Sequence, residues 1–108
     1  MTGASRLESP GAAASSSSPL VQRLAIIGLG LIGASVGLAC RARGLAVQIR
    51  GADEEPDHCA QAIALGVVDQ AFADAAAAVE GADLILLAVP VGAMVPTIER
   101  IAPHLAPE

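Results

Sequence analysis

The stretch Leu24-Ala25-Ile26-Ile27-Gly28-Leu29-Gly30-Leu31-Ile32-Gly33 decides the fold. Its first four residues are a short, uninterrupted apolar run, the pattern of a strand buried on both faces of a parallel sheet. From Leu31 to Arg43 apolar residues recur at helical spacing (Ile32, Val36, Ala39, Cys40), and the run closes on Arg41, Arg43 and Gly44, cations and a glycine stop. Between strand and helix, Gly28, Gly30 and Gly33 make a GxGxxG spacing. Gly28 permits the tight turn out of the strand, Gly30 presents no Cβ where a diphosphate would approach the backbone, and Gly33 lets the helix sit close on the sheet. The unpaired N–H groups at the helix start then face an anion, so Gly28, Leu29, Gly30, Leu31, Ile32 and Gly33 are the expected diphosphate cradle.

The pattern continues as strands alternating with helices. Ala46 to Arg50 reads as a second strand, and Glu55-Pro56-Asp57 as a helix start, with proline in the first turn and acids beside the positive end. That helix runs to about Leu65, with Gly66 as its stop. Val67-Val68 is a minimal third strand, and Phe72 to Glu80 an alanine-rich helix ended by Gly81. Asp83 to Val89 is the strongest strand, ended by Pro90, and Gly92 to Ala102 a final helix in which Pro96 is tolerable only within the first turn. The fold class is therefore α/β, a Rossmann-type doubly wound parallel sheet, incomplete, with about four strands in the order 3-2-1-4.

A chain of 108 residues holds one small domain and not two. With 54% hydrophobic and 16% charged residues it belongs among globular proteins, although alanine dominates and Phe72 is the one aromatic residue, so the core is thin. Residues 1–20, with Ser15 to Ser18, show no periodicity and read as a disordered Ser/Ala/Pro-rich leader, leaving 21–108 as the domain. Net charge is −5 and the six cations are scattered arginines, which excludes a nucleic-acid footprint. The uncharged run Leu24 to Cys40, with a GxxxG at Gly33 and Gly37, would extend only about 25 Å as a helix, short of the ~30 Å bilayer core, so no membrane span is expected. No secretory signal is visible, and Cys40 and Cys59 fit no metal spacing, so they read as buried free thiols in a reducing cytoplasm.

Asp53 lies about twenty residues beyond Gly33, just after the second strand, where a carboxylate can accept from an adenosine ribose diol. Glu54 and Glu55 follow it and would repel a 2′-phosphate, which favours NAD over NADP; Arg50, just upstream, weakens that preference slightly. Strand, glycine turn, helix, second strand and spaced acid together point to a dinucleotide site, where GxGxxG alone is weak evidence in a chain with 11 glycines. His58 and His104 have no partner that the sequence supplies and read as surface residues. Asp57, Asp69, Asp74, Glu80 and Asp83 read as caps and solvated loop acids, with no metal site among them.

Four segments, Ala25 to Gly33, Gly51-Ala52-Asp53, Leu65 to Asp69, and Asp83 to Gly92 ending in Ala88-Val89-Pro90-Val91-Gly92, resemble the N-terminal NAD-binding part of the prephenate (or arogenate) dehydrogenase family. The resemblance covers about Arg23 to Leu105. It implies oxidative decarboxylation of prephenate to 4-hydroxyphenylpyruvate in tyrosine biosynthesis, with NAD as cofactor, prephenate or arogenate as the small-molecule substrate, and a homodimer. It also implies that Ala88, Val89 and Pro90 line the nicotinamide side. The family's catalytic histidine and substrate-binding arginines follow the next strand, and the chain stops at Glu108, so no residue here is expected to be catalytic. The same truncation leaves the apolar strand Leu84 to Val89 as an open edge, and an isolated chain is expected to be marginally stable or self-associating. Two other readings stay open: a non-catalytic NAD(H)-sensing module, and another dehydrogenase such as a hydroxyacid dehydrogenase or imine reductase. The AVPVG segment favours the prephenate type over the last.

Overall fold

The computed structural model describes residues 19–105, and residues 1–18 of the expected leader lie outside them. Strands β1 (Val21–Ile27), β2 (Ala46–Ala52), β3 (Gln70–Phe72) and β4 (Leu84–Leu87) form one parallel sheet in the order β3-β2-β1-β4. They alternate with helices α1 (Leu31–Ala42), α2 (Pro56–Ala64), α3 (Ala75–Val79) and α4 (Val91–Ile101), and a 3-10 turn, Ala102–His104, follows. The order is the one the alternating pattern implies. Ile27 stands opposite Ala52 on one side and Leu87 on the other, so the carboxyl ends of β1, β2 and β4 lie level.

The apolar run in β1 feeds two cores, because successive side chains of a strand point to opposite faces. Leu24 and Ile26 join Leu29, Ile49, Ala62, Val67 and Val68 on one face, while Ala25 and Ile27 join Ala52, Ala78, Val79 and Ile101 on the other. Ile26 and Ile49 are fully enclosed, and each such side chain stabilises the fold by about 1.5–3 kcal/mol.

Three local expectations need correcting. In α1 the buried residues are Gly33 and Gly37, while Ile32 is 71% exposed and Val36 and Ala39 also face outward; of the predicted face only Cys40 packs on the core. A Cβ on Gly37 would lie 2.5 Å from Val67 Cγ1, so the GxxxG pair seats α1 on its own sheet. The third strand is Gln70–Phe72, not Val67-Val68, and Phe72 belongs to it instead of to the following helix. Val67 and Val68 are buried from the turn before β3, their amides both donating to the Ala62 carbonyl. Pro96 stands inside α4 beyond its first turn, at an exposed position.

The α2 start is as its sequence suggests, with Glu55 as N-cap, Pro56 in the first turn and Gly66 at φ +75° past the end. The scattered acids tie distant segments together. Asp83 Oδ2 accepts from the Gln22 and Arg23 amides at 3.0 Å each. Asp69 accepts from the Ile49 amide at 2.8 Å and pairs with Arg41. Asp74 caps α3 and pairs with Arg100, whose guanidinium holds the Asp74 carboxyl below the usual range. Cys40 and Cys59 are free and half-buried rather than buried. Among the described residues no helix is long and apolar enough to cross a membrane.

Candidate functional site

In the sheet order β3-β2-β1-β4 the chain reverses direction of winding between β1 and β4, and open parallel sheets bind ligands outside the carboxyl ends of their strands at such a point. The structure brings three predicted segments there: Gly28 to Gly33 after β1, Asp53 after β2, and Ala88 to Pro90 after β4. Gly28 adopts φ +102°, and a Cβ on it would sit 2.4 Å from the Ala88 carbonyl oxygen. The turn therefore needs glycine for its dihedral and for the closeness of the β4 end. The Ala88 amide closes this junction by donating to the Ile27 carbonyl at 2.7 Å.

Gly33 is tighter still. A Cβ there would lie 1.8 Å from the Gly28 carbonyl oxygen and 3.2 Å from Ile26 Cγ2, so the helix start is pressed onto the loop. Gly30 has nothing within 4 Å of its missing Cβ, and open space lies above it. Ala34 is the first amide of α1 to find a backbone acceptor, the Gly30 carbonyl at 2.9 Å. Among the described residues the amides of Gly30, Leu31, Ile32 and Gly33 have none, which makes them free donors at the positive end of α1. Leu31 and Ile32 flank them, strongly exposed.

Asp53 is bound to this loop. Its Oδ2 accepts from the Leu29 amide at 2.7 Å and from His58 Nδ1 at 3.1 Å, and its Oδ1 accepts from the Glu55 amide at 2.8 Å. Burial raises the Asp53 carboxyl, but the Glu55 and Leu29 amides and His58 outweigh it and hold the group below the ordinary carboxylate range. It is thus an ionised acceptor at neutral pH. Arg50 donates instead to the Glu80 carbonyl at 2.7 Å, at the C-terminal end of α3. Arg50 is thereby committed away from the Asp53 carboxylate.

The histidines correct the sequence reading, which gave neither of them a partner. His58 faces Asp53, and His104 Nδ1 lies 3.1 Å from Glu80 Oε2. Asp53 and His58 are five residues apart across the Pro56 helix start, a short acid-to-histidine spacing that could have flagged the pair. Among the described residues no group of three or more potential ligands could hold a metal ion.

The family model described as "Prephenate dehydrogenase, nucleotide-binding domain" matches residues 36–108. Among solved structures, prephenate dehydrogenase from Aquifex aeolicus in complex with hydroxyphenyl propionate and NAD+ is similar at 28% identity and a TM-score of 0.73, over 79% of this chain. A second structure of prephenate dehydrogenase from that organism is similar at 23% identity and a TM-score of 0.69, over 77% of this chain. The apo scyllo-inositol dehydrogenase of Lactobacillus casei shares the fold at 21% identity and a TM-score of 0.61, over 82% of this chain. The chain spans about 30% of the length of the two Aquifex structures and 27% of the third. No curated protein sequence matches it significantly.

Proposed function

This chain belongs to the family of prephenate dehydrogenase nucleotide-binding domains, and from that premise we propose that it is the NAD-binding portion of a prephenate dehydrogenase-like oxidoreductase. The observation that carries the reading is the glycine loop: four unpaired amides over open space at Gly30, with an ionised Asp53 bonded to the same loop through the Leu29 amide at 2.7 Å. The free amides of Gly30 to Gly33 fit a diphosphate, and Asp53 fits the adenosine ribose diol. Glu54 and Glu55 beside Asp53, with Arg50 turned away to Glu80, favour NAD over NADP. Ala88, Val89 and Pro90, at the end of β4 beside Gly28, are assigned to the nicotinamide side.

NAD, when bound, supplies the hydride acceptor for oxidative decarboxylation of prephenate or arogenate. This chain's part is to hold and orient it, and no residue here is assigned a catalytic role. His104, bonded to Glu80, is not promoted to one. We place the protein in the cytoplasm, in keeping with its two free thiols, and expect copies of this chain to associate through β4, an edge strand of the sheet among the described residues.

NADH binding can be followed through the fluorescence of the reduced nicotinamide itself. Titration with NADH should give saturable enhancement, displaced by NAD+ and at least about ten-fold less well by NADP+. Equal displacement by NADP+ would remove the NAD preference, and absence of saturable binding would remove the reading.

A further inference from the structure

Asp53 is crowded for a group assigned to receive two hydroxyls. A carboxylate offers about four acceptor positions. The Leu29 amide and His58 Nδ1 occupy both on Oδ2, at 2.7 and 3.1 Å, and the Glu55 amide occupies one on Oδ1 at 2.8 Å. One position is left, and a vicinal diol held by both oxygens needs two. Asp53 is ionised and can only accept, so His58 Nδ1 carries the proton of their bond. Two of the three donors are backbone amides, which cannot leave without unmaking the glycine loop or the start of α2. The third is a side chain that is 42% exposed and can turn away into solvent. His58 is not needed to aim the carboxylate either, since an amide already grips each oxygen.

We propose that His58 is a latch on the nucleotide site, competing with the ribose diol of the ligand for Asp53 Oδ2 and so setting how tightly the site takes an adenosine ribose. The proposal rests on the nucleotide-binding reading above. His58→Leu removes the donor and keeps apolar bulk, His58→Ala removes both, and His58→Asn keeps an amide N–H where Nδ1 stands.

In the full chain, the Leu and Ala variants should bind NADH about ten-fold more tightly, the worth of one hydrogen bond to a charged acceptor, and the Asn variant should bind like the parent. A second readout separates the latch from a general loosening of α2. ADP and its 2′,3′-dideoxy analogue are each used to displace NADH, and the Leu and Ala variants should gain on ADP and not on the analogue. Unchanged or weaker NADH binding by variants that melt like the parent overturns the latch while leaving the nucleotide reading intact. So does an equal gain on both competitors, or tightening by the Asn variant. No NADH binding by the parent or any variant overturns both.

Discussion

Replacing Gly33 with alanine should separate what the glycine loop does for the fold from what it does for a ligand. The added Cβ would lie 1.8 Å from the Gly28 carbonyl oxygen, and that obstacle is backbone, unable to rotate aside. An ordinary contact needs about 3.5 Å, so the first turn of α1 would have to withdraw by roughly 1.5 Å from the sheet. Alanine returns about 1 kcal/mol of helix propensity. Overpacking at a rigid site costs up to about 3 kcal/mol, which leaves a net loss near 2 kcal/mol. For a domain of this size that lowers the melting temperature by roughly 8–16 °C. Gly30→Ala is the matched control. Nothing lies within 4 Å of its Cβ position and its φ is −72°, so the melt should move by only about 2–4 °C, the cost of a poorer N-cap. Its methyl group would instead stand where a diphosphate must approach, and NADH binding should weaken at least about ten-fold. Far-UV circular dichroism gives the melts and NADH fluorescence the binding. A Gly33→Ala chain that melts at or above the parent, or a Gly30→Ala chain that binds as well as the parent, would refute the reasoning.

Asp53→Ala should weaken NADH binding by about ten-fold or more, the loss of hydrogen bonds to a charged acceptor, as read by the same titration. Because the Asp53 carboxyl is held below its ordinary value, its contribution to stability is full above the unfolded value and is lost only as pH falls through the lower folded one. Urea denaturation of the parent and Asp53→Ala chains should therefore show a constant difference between about pH 8 and pH 5 that shrinks only in stronger acid. Leu84, 53% exposed on β4, an edge strand among the described residues, should make this chain associate as concentration rises. In sedimentation velocity Leu84→Lys should stay monomeric over a range in which the parent does not. Asp83→Ala frees the Gln22 and Arg23 amides at the start of β1 and should cost about 1 kcal/mol in denaturant titration.

The sheet order and the glycine loop were legible because their signals are local: an apolar run, a glycine spacing and an acid at a set distance. The buried face of α1 was not. Periodicity points to large apolar side chains as the inward face, yet a helix drawn this close to a sheet turns its smallest residues inward, here Gly33 and Gly37, and leaves Leu31, Ile32 and Val36 outside. Val67-Val68 misled for a related reason, since an apolar pair can fill a core from a turn as well as from a strand. Pro96 is tolerated within α4 at a position open to water, where a freed carbonyl can be solvated; its exposure is a tertiary fact that composition does not carry. Asp69, Asp74 and Asp83 looked like isolated acids because each reaches a group at least twenty residues away along the chain.

The central place of β1 has a consequence for how the protein is made. As the chain leaves the ribosome, β1 can pair with β2 after one short helix, but its other side waits for β4, since Leu24 and Leu84 are register partners sixty residues apart. Until synthesis reaches that point, β3, β2 and β1 stand with β1 as an unguarded edge rich in Ile and Leu. The closure of that long loop follows the pairing of β1 with β2, so the docking of β4 should be the slower of the two pairings of β1, and the nascent three-stranded sheet is the species on which chaperones would act.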